Sequence, residues 1–212
     1  MDKQKKLDDI AKQVAHCTRC VLYKKAKKSV PGAGNPEAKI VFIGEGPGFN
    51  EDRYGIPFCG AAGRVLDQLL QLIKLSRKDV WIGNVVKHRP PENRDPRPEE
   101  IEACQPFLDE QIRVIDPEII VTLGRFSMHR FLPGEYISKI HGQARWITFA
   151  GKKRLLIPMY HPAAALRSGQ VMQQIREDFQ KIPMFLNGQA GEIELTRETK
   201  EEKSEQQLSL IR

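Results

Sequence analysis

Four short apolar runs, at 39–43 (Lys-Ile-Val-Phe-Ile), 79–86, 118–124 and 154–159, recur along the 212-residue chain with helix-period stretches between them. Runs of this length, rich in Val and Ile, read as buried strands. Strands separated by helical segments pair as a parallel sheet covered on both faces. The pattern predicts a three-layer α/β/α domain built on a four-stranded parallel sheet. Helices are expected at 3–15, where Leu7, Ile10, Ala11 and Val14 share a face, and at 63–74, with Val65, Leu66, Leu69, Leu70 and Ile73 inward. Further helices are expected at 98–115, 125–131 and 170–184, and a hairpin around Gly151. With 40% hydrophobic residues the chain supports one sizeable core, so 1–186 reads as one domain. Residues 187–212 are polar and poor in aromatics, which predicts a disordered tail. Within it Gln206-Gln-Leu-Ser-Leu-Ile211 resembles a sliding-clamp-binding peptide without the paired aromatics, so at most a weak clamp contact is expected.

The charge is +7, and because the last 26 residues hold six Glu against four Lys and Arg, residues 1–186 carry +9. A basic body fits an anionic partner, most simply nucleic acid. No apolar run reaches membrane-spanning length and the chain opens Met-Asp-Lys-Gln-Lys-Lys, which is no secretory signal. A cytoplasmic, nucleoid-associated monomer is expected. In that reducing setting cysteines serve as metal ligands or inert core thiols rather than disulfides. Cys17-Thr-Arg-Cys20 is a metal half-site; Cys104 with His88 completes a C-x2-C-x67-H-x15-C set, with Cys59 as competing fourth ligand. Spacing alone leaves zinc and iron–sulfur both open.

A second constellation lies where the strands end. Open α/β sheets bind ligands at the carboxyl ends of their strands, and there this chain places Gly44-Glu-Gly-Pro-Gly48, Glu51, Phe58, Asn84 and His161. The glycine turn is neither G-x-G-x-x-G nor a P-loop, which disfavours a nucleotide cofactor.

Gly44-Glu-Gly-Pro-Gly-x-x-Glu-Asp52, Gly-x-Pro-Phe58, Asn84-Val-Val-Lys-x-Arg-Pro-Pro-x-Asn-Arg94 and His161-Pro-Ala-Ala-Ala-Leu-Arg167 together resemble the family 4, iron–sulfur uracil-DNA glycosylases over about residues 7–186. The resemblance implies a monofunctional DNA-repair enzyme that flips uracil out of DNA, hydrolyses its N-glycosidic bond, and leaves free uracil and an abasic site. It implies that Asn84 reads the base edge, Phe58 stacks on the ring, and His161 stabilises the departing uracil anion with Glu45 positioning water. Gly44, Gly46 and Gly48 would form the turn under the base. Gly46 stands where the classical branch has a water-activating aspartate, and Gly48 where relatives have a thymine-excluding tyrosine, so Glu51 is expected to fill that space. Leu166 or Arg167 would enter the gap in the duplex, with Lys87, Arg89 and Lys28 on phosphates. Cys17, Cys20, His88 and Cys104 would hold a cluster, expected as 4Fe-4S with zinc as alternative; His88 occupies a position where the family has cysteine. The rival readings are a binder that captures uracil covalently through a histidine and a metal-stapled DNA-binding module without catalysis.

Overall fold

The computed structural model describes residues 2–186, and the expected tail with its 206–211 peptide lies outside them. One sheet contains β1 (Ala33–Gly34), β2 (Ile40–Gly44), β3 (Trp81–Asn84), β4 (Ile119–Leu123), β5 (Arg145–Phe149) and β6 (Lys152–Met159), in the order β1-β3-β2-β4-β6-β5. The pairings β3·β2, β2·β4 and β4·β6 are parallel. β1 and β5 run antiparallel along the two edges, so the sheet is mixed and six-stranded rather than four-stranded and parallel. The edges escaped the sequence reading because β1 is two exposed residues in a Pro/Gly turn and β5 is only partly buried. The expected hairpin is present, with β5 and β6 joined through Ala150 and Gly151 at φ of 53° and 74°.

The helices are α1 (Lys3–Ala15), α2 (Phe49–Tyr54), α3 (Ala61–Leu72), α4 (Pro98–Ile115), α5 (Arg125–His129), α6 (Ile137–Ile140), α7 (Pro162–Ala165) and α8 (Gly169–Leu186). Strand side chains alternate between faces, and that alternation divides the core in two. Phe42, Val121 and Ile157 meet Leu66 and Leu69 of α3 and Phe179 of α8. Their neighbours Val41, Ile43, Ile120 and Leu156 meet Leu7, Ile10 and Val14 of α1 and Leu108 and Ile112 of α4. Each such side chain, fully buried, contributes about 1.5–3 kcal/mol. No helix among the described residues is long and apolar enough to cross a membrane.

The chain moves from β2 outward to β3, then returns to lay β4 on the other side of β2. That reversal opens a crevice at the carboxyl ends of these strands.

Candidate active site

A cleft of about 410 Å³ occupies that crevice, lined by the 45–48 turn, Glu51, Phe58, Asn84 and His161, and by Pro90, Asn93, Arg94 and Arg167. β2 ends in Gly44, β3 ends in Asn84, and β6 runs through Met159 into His161, so three strands deliver the centre of the site. Gly44 lies against two of these groups: a Cβ there would be 2.5 Å from Asn84 Oδ1 and 2.6 Å from Phe58 Cζ. Only a residue without a side chain lets those two groups meet over the strand.

Asn84 is 1% exposed and its Oδ1 has no hydrogen-bond partner in the described protein. A buried acceptor left unpaired costs about 1–3 kcal/mol, so this one is poised for a donor from a ligand. Its main chain is held from below. Lys87, expected on the DNA surface, is instead fully buried, with Nζ donating to Asn84 O at 2.9 Å and to Gln111 Oε1 at 2.7 Å. Gln111 in turn donates to Pro31 O at 2.7 Å. Burial lowers the Lys87 pKa to about 8. The phosphate contact expected of Lys87 is therefore ruled out, because the ammonium faces two protein acceptors and not solvent.

Phe58 adopts φ 51°, a left-handed conformation unusual for an aromatic residue. Arg77 holds it there, donating to Phe58 O and, at 2.9 Å, to Pro57 O, while its Nε donates to Asp67 at 2.6 Å. Gly63 is the second condition, since a Cβ there would sit 1.6 Å from Phe58 O. The Phe58 ring stacks on His161 with centroids 5.5 Å apart and planes 27° apart.

His161 caps α7, its Nδ1 accepting from Ala163 N at 3.1 Å. With Nδ1 an acceptor, the ring proton of the neutral form is on Nε2. Burial pushes its pKa down to about 4, against a weaker upward pull from Glu51. At neutral pH the ring is thus an uncharged donor. Glu45, half-buried at the rim, is pushed up to about 7, chiefly by burial and then by Asp95, with Arg125 opposing. Glu51 Oε1 accepts from Gly60 N at 2.9 Å, and its other oxygen fills the space before Gly48, where a Cβ would come within 2.8 Å of Oε2. At Gly46 a Cβ would lie 2.7 Å from Val86 Cγ2, so a larger residue would push against that methyl group.

Arg94, which the sequence reading gave no role of its own, lines the cleft and forms a two-pronged pair with buried Glu100 of α4, at 2.9 and 2.6 Å. Glu100 also accepts from Arg97 N at 2.8 Å, tying the proline-rich loop to the helix start. Arg94 lay inside the 84–94 motif, a signal that could have found it; Arg77 had no such signal. Arg167 lines the cleft, while Leu166 beside it is 52% exposed. Arg89 is partly exposed and Lys28 exposed.

The thiols gather on the opposite side of the 84–88 segment. Cys17, Cys20 and buried Cys104 share the α1/α4 core, and Cys104 Sγ accepts from Lys87 N at 3.2 Å. Burial raises the Cys104 thiol to about 11, with Cys20 and Cys17 adding to the rise. His88 is buried and lines a hollow of about 190 Å³ with Cys17, not the cleft. Cys59 lies by Glu51, away from this group. No three His, Cys, Asp or Glu among the described residues are arranged to hold one metal ion.

Residues 31–181 match the family model of the uracil DNA glycosylase superfamily. The chain is 46% identical to a type-4 uracil-DNA glycosylase of Saccharolobus solfataricus, the alignment covering 85% of this chain and 87% of that one. It is 45% identical to its counterpart in Archaeoglobus fulgidus (83% and 91% covered) and 40% to that in Thermotoga maritima (87% and 96% covered). Matches of this extent, across the residues that build the cleft, show that the chain belongs to the uracil-DNA glycosylase superfamily and, within it, to the type-4 family.

Proposed function

We propose that this chain flips uracil from DNA into the cleft and hydrolyses its N-glycosidic bond, releasing uracil and leaving an abasic site. The observation that carries the reading is the buried Asn84 amide, its Oδ1 unpaired, beside Phe58 and His161. Uracil presents N3–H to Oδ1 and O4 to the amide NH2, whereas cytosine presents an acceptor and a donor and mismatches both. Phe58 stacks on the ring, worth about 1–3 kcal/mol. Glu51, filling the space before Gly48, crowds the methyl group that distinguishes thymine.

Cleavage of the C1′–N1 bond leaves an oxocarbenium-like sugar and puts negative charge on uracil, chiefly at O2. His161 Nε2–H is the donor for that oxygen. A neutral imidazole fixed by its Nδ1 bond stabilises the anion without reorganising. Glu45, with a pKa near 7, holds the attacking water in its ionised form and takes its proton. Leu166 and Arg167 stand at the lip to fill the space the uracil leaves, and Arg89 and Lys28 supply charge for the backbone.

Cys17, Cys20, Cys104 and His88 are the donors for an iron–sulfur cluster, our reading being 4Fe-4S. Their chemistry suits such a group, with three thiols bordering one core and the imidazole bordering Cys17, while no three of them converge on a single point among the described residues. When bound, such a cluster serves as a structural staple between α1 and the 84–104 segment. Iron with broad visible absorbance is the expected result; stoichiometric zinc without iron would refute it.

The deciding experiment is alkaline strand scission of a uracil-containing oligonucleotide by wild type, Asn84→Ala and His161→Ala. Abasic sites should form with wild type and be strongly reduced in both variants. Wild-type protein that binds but never releases uracil would overturn the reading.

A further inference from the structure

The rim of the cleft carries an exposed aromatic side chain that the chemistry above does not use. Phe49, the first residue of α2, leaves 54% of its surface in solvent. Arg89 lies over its ring, the guanidinium carbon 5.3 Å from the centroid. Arg89 is itself fixed, Nε donating to Asn93 Oδ1 at 2.7 Å. Asn93 reaches that position with φ 54°, next to Glu92 at 56°, conformations that cost energy outside glycine and persist only where surrounding structure holds them. The assembly abuts the cleft on both strands of its chain: Gly48, Pro90 and Asn93 all line the cleft, and Phe49 and Arg89 are the next residues out.

We propose that Phe49 and Arg89 form a stacking subsite for a nucleobase adjacent to the flipped uracil on the same strand, an assignment that rests on the function proposed above. Flipping strips each neighbouring base of one stacking partner. Leu166, 52% exposed, stands at the α7 lip; Phe49 stands at the α2 lip. An aromatic face backed by a cation accepts any base, since every base has a π-face. The basic body holds the strand over it. The subsite therefore demands that a neighbouring base be present and is indifferent to which base it is.

The test uses full-length, metal-replete protein and single-stranded oligonucleotides carrying 2′-fluoro-2′-deoxyuridine, whose electron-withdrawing fluorine resists hydrolysis. Affinity is compared with a normal neighbour and with a tetrahydrofuran spacer, on the 5′ and the 3′ side in turn. Removing the base on one side should weaken wild-type binding roughly 5- to 150-fold, and exchanging it for another base should change it little. Phe49→Ala should lose about as much with the base present and nothing further without it. Phe49→Trp should restore the dependence, which a merely structural role would not do. Wild-type binding indifferent to the spacer on both sides, or a Phe49→Ala variant still sensitive to it, would overturn the proposal. Equal affinity for fluoro-uracil and thymine oligonucleotides would instead sink the proposed function, with the spacer comparison still deciding the subsite.

Discussion

Replacing Asn84 by alanine should separate stability from activity. Asn84 Oδ1 is buried and has no partner among the described protein atoms, so removing it breaks no protein–protein hydrogen bond through that oxygen. The side chain borders the cleft and not a closed core, so truncation leaves no sealed cavity. The thermal midpoint should stay level or rise. Bound uracil loses two hydrogen bonds at the same site. At about 1–3 kcal/mol for each group left unpaired, the loss is about 2–6 kcal/mol, or roughly 30-fold to 2 × 10⁴-fold in kcat/KM at about 1.4 kcal/mol per decade. Single-turnover uracil release from an oligonucleotide, with thermal melting of the same preparation, measures both. A loss under about threefold in kcat/KM with uracil selectivity retained would refute the base-reading role. A large fall in thermal midpoint would refute the claim that the amide is held unpaired for the ligand.

Glu45 and His161 set the pH behaviour. If ionised Glu45 holds water, kcat should rise with pH through about 7, and Glu45→Gln should flatten that limb in a pH–rate profile. The folded protein favours protonated Glu45, so this residue's contribution to stability is lost as pH rises from the ordinary carboxyl range through 7; Glu45→Gln should melt higher than wild type above pH 7. His161 is held neutral, so its contribution is lost as pH falls from about 6.5 toward 4, visible as an acid limb in melting that His161→Gln removes. Lys87→Met leaves the Asn84 carbonyl and Gln111 Oε1 without their donor, which should cost about 1–3 kcal/mol for each in denaturant unfolding. Gly63→Ala drives a Cβ into Phe58 O and should abolish uracil binding in an affinity assay by displacing the stacking ring. If iron is present, His88→Ala should alter the visible spectrum; an unchanged spectrum would remove His88 from the ligand set.

What could be read from the residues was whatever repeats at a fixed period or carries its own boundary. The inner strands announced themselves as apolar runs, and α4 was bounded within a residue by Pro98 and the acidic pair behind it. Asn84 could be singled out as a polar residue inside an apolar run, and the expected topology then put it with Gly44, Phe58 and His161. The edge strands could not be read this way, because a two-residue exposed strand and a half-exposed one have no alternation to detect.

Lys87 marks the limit most clearly. With Arg89 it was expected on the DNA surface, and a four-carbon stem gives no local sign of which way it turns. Only folding brings Gln111, 24 residues on, to meet it, and turns an expected phosphate contact into the support beneath Asn84. The same holds for Arg77, which reaches back 19 residues to fix the Phe58 backbone. The sequence by itself determined the layered sheet, the loops that converge and the chemistry they carry, since periodicity and residue type are local properties. Tertiary structure alone decided which charges are buried, which acceptor is left unpaired and which aromatic faces solvent, because desolvation depends on what the rest of the chain packs against each group.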